Sequence, residues 1–462
     1  MGCIKSHSKI WGEIVGGLVI LIFLVLPTSS WAAFASQFSL GVGEEYNDNI
    51  FFSKQKDHDF ISTLLPTLSF FYAPAGQIEP TATLSIGSAA EFYARHSELN
   101  NFGDNISVQG SYAYRYSPQL SFDFADNFQR QGPTRTGGFG FGQPLQLQTG
   151  PTTLGSDVTK SQDLKDFISQ GDQITNSFGV NGSYLYRPDV SFTGFYQNTV
   201  AQFLDAGGTE VSNTIGARGI YNWRQDHNLH AGYSISINKS RNGGDEDGVI
   251  HNFDFGDDYF SNYNLQLTPT LSLTASSGLS FNAGNDGPRI ANNTNITITK
   301  LWEAGVLNAG FRKGLTPSFG VAGISDTTSI FTTLAFRFSE KLSTNANVNL
   351  SFYDTEDVNF KTFEAAMGLQ YMINSWLSAA LNYRFRWIDG GSGANQSGSR
   401  GANQTDLLNK GIINSNSVFL VLTGRFDLWP NIGLARGLSS TTLNPVLKTP
   451  FPLPAIKPSN IP

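Results

Sequence analysis

Hydrophobic and polar residues alternate along most of the chain. Segment 342–353 shows this plainly. Leu342, Thr344, Ala346, Val348, Leu350 and Phe352 fall on one face of an extended chain, and Ser343, Asn345, Asn347, Asn349 and Ser351 on the other. Side chains of a strand alternate faces, so one face is apolar and the other wants water. The pattern recurs in segments of about ten residues between turn formers, the signature of a transmembrane β-barrel with lipid outside and a wet lumen inside.

Alternation, with turns at Pro, Gly, Asn and Asp, predicts about eighteen antiparallel strands. The first covers 38–46, the tenth 252–267 and the last 415–429. Short turns alternate with longer links, as outer-membrane barrels place short turns in the periplasm and longer loops outside. Tyr72, Tyr116, Tyr186, Trp223, Trp302, Phe338, Tyr371, Trp376 and Trp429 stand beside the short turns, where an amphipathic ring at the water–lipid boundary belongs. A barrel of this size encloses an aqueous channel.

The ends of the chain read differently. Lys5 and Lys9 precede an apolar core from Ile14 to Leu26, Pro27 ends it, and Ala33-Phe34-Ala35 or Ser30-Trp31-Ala32 offers small residues for cleavage. Residues 1–35 therefore read as a secretory signal peptide, 36–429 as the barrel and 430–462 as a Pro-rich periplasmic tail. The sole cysteine, Cys3, lies before the apolar core, so it is badly placed for lipoprotein processing.

Composition narrows the class. The 462-residue chain is only 40% hydrophobic, which would be low for a helical membrane protein but suits a barrel whose strands are half polar. Net charge is −7, and −8 once Lys5, Lys9 and Glu13 leave with the signal, which disfavours nucleic acid as a partner. The partners expected instead are outer-membrane lipid and lipopolysaccharide, the barrel assembly machinery that reads the last strand, and a periplasmic export partner bound through the tail.

After the first strand comes Glu44-Glu45-Tyr46-Asn47-Asp48-Asn49-Ile50-Phe51, then Asp59-Phe60-Ile61-Ser62 and Pro66. This run resembles the opening of the β-barrel porin families of Gram-negative outer membranes, whose members are often found with exopolysaccharide export or PEP-CTERM sorting systems. The resemblance implies compartment and fold, and brings no catalytic residues or cofactor. Physically, Asn47-Asp48-Asn49 reads as a solvated turn. Glu44, Glu45, Asp48, Asp57 and Asp59 are hard oxygen ligands that calcium could take, although they lack a tight loop spacing.

The lumen face is mostly Ser, Thr, Asn and Gly. Arg95, Arg115, Arg187, Arg218, Arg312, Arg337, Arg384, Arg386 and Arg425 also fall on it, with Glu91, Asp123, Asp254, Glu364 and Asp427. The pore-lining candidates are Arg218, Arg312, Arg337, Arg384, Arg386, Arg425 and Glu364. An Arg-rich passage favours anions; the alternative is that the arginines pair with carboxylates and brace the wall. Asp245-Glu246-Asp247, Asp257-Asp258 and Glu356-Asp357 are expected in external loops or at their rims. The long link 130–171 is amphipathic over 161–168, and Leu164, Phe167 and Ile168 are its constriction candidates. His227 and His230 lie near a turn without a metal-like cluster, and no Gly-x-Ser-x-Gly elbow is present, so an enzyme is not expected. The function expected is a porin-like channel for passive passage of polar or anionic solutes or polysaccharide. The alternative is a non-conducting scaffold barrel serving exopolysaccharide export or surface assembly.

Overall fold

The computed structural model describes residues 33–73, 81–132, 172–204, 208–224, 227–241, 245–261, 270–282, 289–317, 324–354, 359–390 and 411–429. Eighteen antiparallel strands carry the chain. They are β1 Ala33–Asn47, β2 Asp59–Ala73, β3 Ala82–Tyr93, β4 Asn101–Arg115, β5 Leu120–Gln131 and β6 Gln173–Arg187. Next come β7 Val190–Phe203, β8 Gly208–Arg224, β9 His227–Arg241, β10 Asp245–Ser261, β11 Leu271–Asn282 and β12 Arg289–Trp302. The last are β13 Gly305–Pro317, β14 Ile324–Arg337, β15 Leu342–Asp354, β16 Asn359–Met372, β17 Leu377–Gly390 and β18 Ile412–Trp429. Each strand pairs with its sequence neighbours, and β1 pairs with both β2 and β18, so the sheet closes on itself. Closure leaves no edge whose amides lipid would strand.

The register sorts the side chains, because directly opposed residues share a face. Leu350 stands opposite Ile330 and Phe363 on the outer wall; Asn349 stands opposite Phe331 and Glu364 on the inner one. On β18 the outward Leu420 is 50% exposed and Leu428 56%, although both are apolar. Apolar side chains standing bare along a closed wall need a lipid contact, whereas a soluble sandwich would cover them. Tyr116, Tyr186, Trp223, Trp302, Phe338, Tyr371 and Trp376 are likewise exposed at the short-turn end. The chain is thus a transmembrane β-barrel by fold.

Several strand boundaries moved, and two of the shifts change the reading. Strand β1 starts at Ala33, where it already pairs with Ala73, inside the stretch assigned to the signal peptide. Strand β10 starts at Asp245 and not at 252, because Asp245 to Gly248 continue the ladder with Arg241 to Asn238 of β9. That shift carries Asp257 and Asp258 to the short-turn end of the barrel, so they are not external-loop residues. The register of the partner strand overrode the acidic composition.

Packing inside the wall depends on close backbone approach at particular glycines. A Cβ at Gly43 would meet the Phe419 ring at 2.6 Å, and the glycine lets that ring lie over β1 toward Leu65 and Ala89. At Gly278 a Cβ would run into the carbonyl of Phe253 on the paired strand. Backbone cannot yield as a side chain does. Gly278→Ala is expected to destabilise the barrel by about 1–3 kcal/mol, read as a lower denaturant midpoint in detergent. An unchanged midpoint would show that the β10–β11 ladder opens there without cost.

Candidate functional site

The site is the inner wall at the end opposite the short turns, and its most structured element is the loop between β1 and β2. Asn47, Asp48 and Asn49 do not form a solvated turn. Asp48 donates its backbone N–H to the Asn416 carbonyl at 3.0 Å, and its carboxylate accepts from the Asn416 backbone and side-chain amides at 2.6 and 2.9 Å. The Asn49 side chain donates to the Asn414 carbonyl at 2.8 Å, and Ser415 Oγ donates to Asn47 Oδ1 at 3.0 Å. The three residues therefore clip the loop to the start of β18, across the seam that closes the barrel. Burial pushes the Asp48 carboxyl up, but the hydrogen bonds from Asn416 and Lys56 outweigh it and leave it below its ordinary value.

Past the clip the chain turns into the barrel. Asn49, Ile50 and Phe52 are each at most 1% exposed. Ile50 packs on Ile61 and Tyr93, with Phe51 and Leu99 beside them, and the inward register places Ile61 opposite Tyr93 on the inner wall. Phe52 lies against the Arg386 guanidinium, 4.9 Å from ring centroid to Cζ. The loop leaves the mouth through Asp59, which is fully buried and accepts from the backbone amides of Phe60, Arg95 and His96 and from His96 Nδ1. Asp57 meets the other ring nitrogen of His96 at 3.2 Å. The hydrogen bond to Asp59 raises the His96 pKa above its ordinary value, and the charge of Asp57 adds to it. Asp48 thus serves β18 while Asp57 and Asp59 share His96, and among the described residues no three His, Cys, Asp or Glu side chains converge as metal ligands.

The seven pore-lining candidates divide into three groups. Arg218 and Arg384 are paired: Arg218 with Asp254 at 2.7 Å and Arg384 with Glu364 at 2.9 Å. Both pairs share the inner face by register. Arg312 and Arg386 are stacked, Arg312 at 4.4 Å from the Phe331 ring and Arg386 on Phe52. Arg337 ends β14 and Arg425 lies opposite Ser39 on β1, so these two stand toward the short-turn end, away from Arg312, Arg384 and Arg386. Arg218 and Arg384 thus pair with carboxylates, as the wall-bracing alternative expects.

Arg95 follows β3 and contacts His58, and Arg187 pairs with Asp189 beside a turn, so neither lines the middle of the lumen. His227 and His230 each have an aspartate within reach, Asp257 at 2.6 Å and Asp254 at 3.7 Å. Leu164, Phe167 and Ile168 lie outside the described residues, as does 430–462. Sequence reasoning missed Ile50, Phe52 and Phe331. Phe331 faces inward where alternation was read only for charge and amides, while Ile50 and Phe52 sit in a loop, where alternation says nothing.

A polar inner wall, an apolar outer wall and a closed ladder define the class as a membrane-spanning β-barrel. No protein-family model matches the chain, and no curated protein does. Among solved structures, OccAB4 of Acinetobacter baumannii is similar with a TM-score of 0.42 and 11% identity, over 85% of this chain and 98% of that one. OpdK of Pseudomonas aeruginosa gives 0.39 and 13%, over 85% and 99%. The siderophore receptor PirA of the same organism gives 0.38 and 11%, over 86% and 81%. At scores this low the likenesses add nothing to the fold, which rests on the closed register.

Proposed function

We propose that the chain is an outer-membrane channel for passive passage of polar, anion-leaning solutes, polysaccharide included. The supporting observation is the inner wall itself. Ser, Thr and Asn alternate along it, and Arg312, Arg384 and Arg386 enter it from β13 and β17. Rings of charge beside a water-filled passage set ionic preference, and low-dielectric walls strengthen their field. Passage is downhill or driven by a periplasmic partner. The apolar outer wall fits outer-membrane lipid and lipopolysaccharide, and the sequence resemblance supports an exopolysaccharide-linked role.

The test is ion conductance in planar bilayers. Purified protein is expected to conduct and to reverse on the anion side of a salt gradient. Arg384→Ser with Arg386→Ser is expected to shift reversal toward cations. Because Arg384 is paired, Glu364→Gln is expected to move reversal the other way by exposing its charge. Equal reversal potentials in all three proteins would refute the wall-charge mechanism. A second reading, a non-conducting scaffold barrel for surface assembly, is favoured by the loop seated inside the mouth, and silence of both the intact protein and its loop variants would support it.

A further inference from the structure

We propose that the β1–β2 loop sets the aperture of this pore, and that Phe52 and Arg386 are its selectivity-determining residues. The inference rests on the channel reading and adds an element that the sequence pattern assigned to solvent.

Three observations carry it. The loop is anchored on both sides of its tip. Before the tip it holds β18 through Asp48 and Asn49; after it, the Asp59 carboxylate ties it to the turn behind β3. Between those anchors it spans the inner wall, with Ile50 on β2 and β3 and Phe52 on β17. Loops held only by solvent do not bury an isoleucine and a phenylalanine to 1% exposure.

The second observation is strain. Phe52 has φ of +42°, a left-handed conformation in which a bulky side chain is an outlier. Such residues persist only where the surroundings over-determine them, and they cluster at functional clamps. Here the Phe52 amide closes a turn onto the Asn49 carbonyl at 3.0 Å, Ser53 N–H donates to Asn49 Oδ1 at 3.0 Å, and the ring is held against a guanidinium. Asn49 thereby holds the tip from inside while bonding β18 outside.

The third is chemical. Arg386 is 3% exposed, and the phenyl ring is one of the groups that cover it. A ring over a guanidinium gains cation–π attraction but hides the charge from the lumen. The loop therefore acts twice, by occupying space and by masking a cation.

These roles predict selectivity shifts of opposite sign. Phe52→Ala is expected to raise single-channel conductance and to move reversal further toward anions, because the passage widens and Arg386 is uncovered. Arg386→Gln is expected to move reversal toward cations, with conductance no lower than that of the unaltered protein, because both the charge and the seat of the ring are gone. Asn49→Ala, which removes the tip's bonds to Asn414 and Ser53 while leaving the Asp48 clip and the wall intact, is expected to raise conductance and its noise.

Retention of the compact, heat-modifiable form in detergent gels checks each barrel. If Phe52→Ala loses that form, Phe52→Leu is read for the anion shift instead. Wild-type conductance and reversal in all the variants would overturn the proposal while leaving the channel reading intact. Reversal shifts of the same sign for Phe52→Ala and Arg386→Gln would show general loosening and overturn the assigned roles. A silent full-length protein opened by Asn49→Ala or Phe52→Ala would keep the loop as the closing element and overturn passive passage. Silence in every protein would overturn both.

Discussion

Asp59→Ala is expected to release the β1–β2 loop from the barrel mouth and lower stability by on the order of 2–4 kcal/mol, since each buried donor left unsatisfied costs about 1–3 kcal/mol. The buried carboxylate accepts three backbone amides, from Phe60, Arg95 and His96, together with His96 Nδ1. Asp59→Asn is the milder change, because its amide oxygen still accepts but its charge is gone. Proteolysis after Lys54 and Lys56, which are exposed in the loop, reports the release directly. Protection equal to the unaltered protein would show that the Asp48–Asn416 clip alone seats the loop.

The same anchor gives a pH dependence of definite sign. The folded pKa of His96 is raised, so its contribution is complete below the unfolded histidine value and is lost as pH rises through the folded one. The loop is expected to be held more firmly near pH 6 than pH 8, the range a raised histidine spans. His96→Gln is expected to flatten that profile.

Much of this barrel was legible as alternation. Val418, Leu420 and Leu422 outward and Ser415 and Ser417 inward follow from period-two spacing alone, and Pro188-Asp189 marks its turn by composition. Closure and strand number followed because each segment repeats one local rule. What alternation cannot state is which residue on the next strand stands opposite. Arg384 and Glu364 could each be placed inward, but their pairing depends on a register that sets Glu364 opposite Arg386, one step from Arg384. Asn47-Asp48-Asn49 was legible as a turn former, since those side chains do bond local backbone. Its destination was not, because Asn414 and Asn416 lie at the far end of the chain and meet it only once the barrel closes. Burial of Ile50 and Phe52 follows from that closure, and so could not be read from their neighbours in sequence.

The largest expected loss follows from Asp254→Ala. Its carboxylate meets Arg218 at 2.7 Å with both side chains at most 8% exposed, and His230 lies between them on β9 with Nε2 at 3.7 Å. Gly256 makes room for that histidine, as a Cβ there would stand 2.7 Å from its Nε2. Removing one member of a buried ion pair strands the other, at about 3–5 kcal/mol, whereas replacing both by apolar residues of similar volume is often neutral. Arg218→Met with Asp254→Leu is therefore expected to recover most of what Asp254→Ala loses in denaturant unfolding from detergent. The comparison also reports on the lumen. If water of the passage reached this wall, the stranded Arg218 would be hydrated and the single change would cost little, near the 0–1 kcal/mol typical of exposed pairs. A full loss, relieved by the double change, places the β8–β10 wall in a dry stratum of the barrel. On the proposed channel reading, ions would then pass on the side of Arg384 and Glu364, beneath the β1–β2 loop.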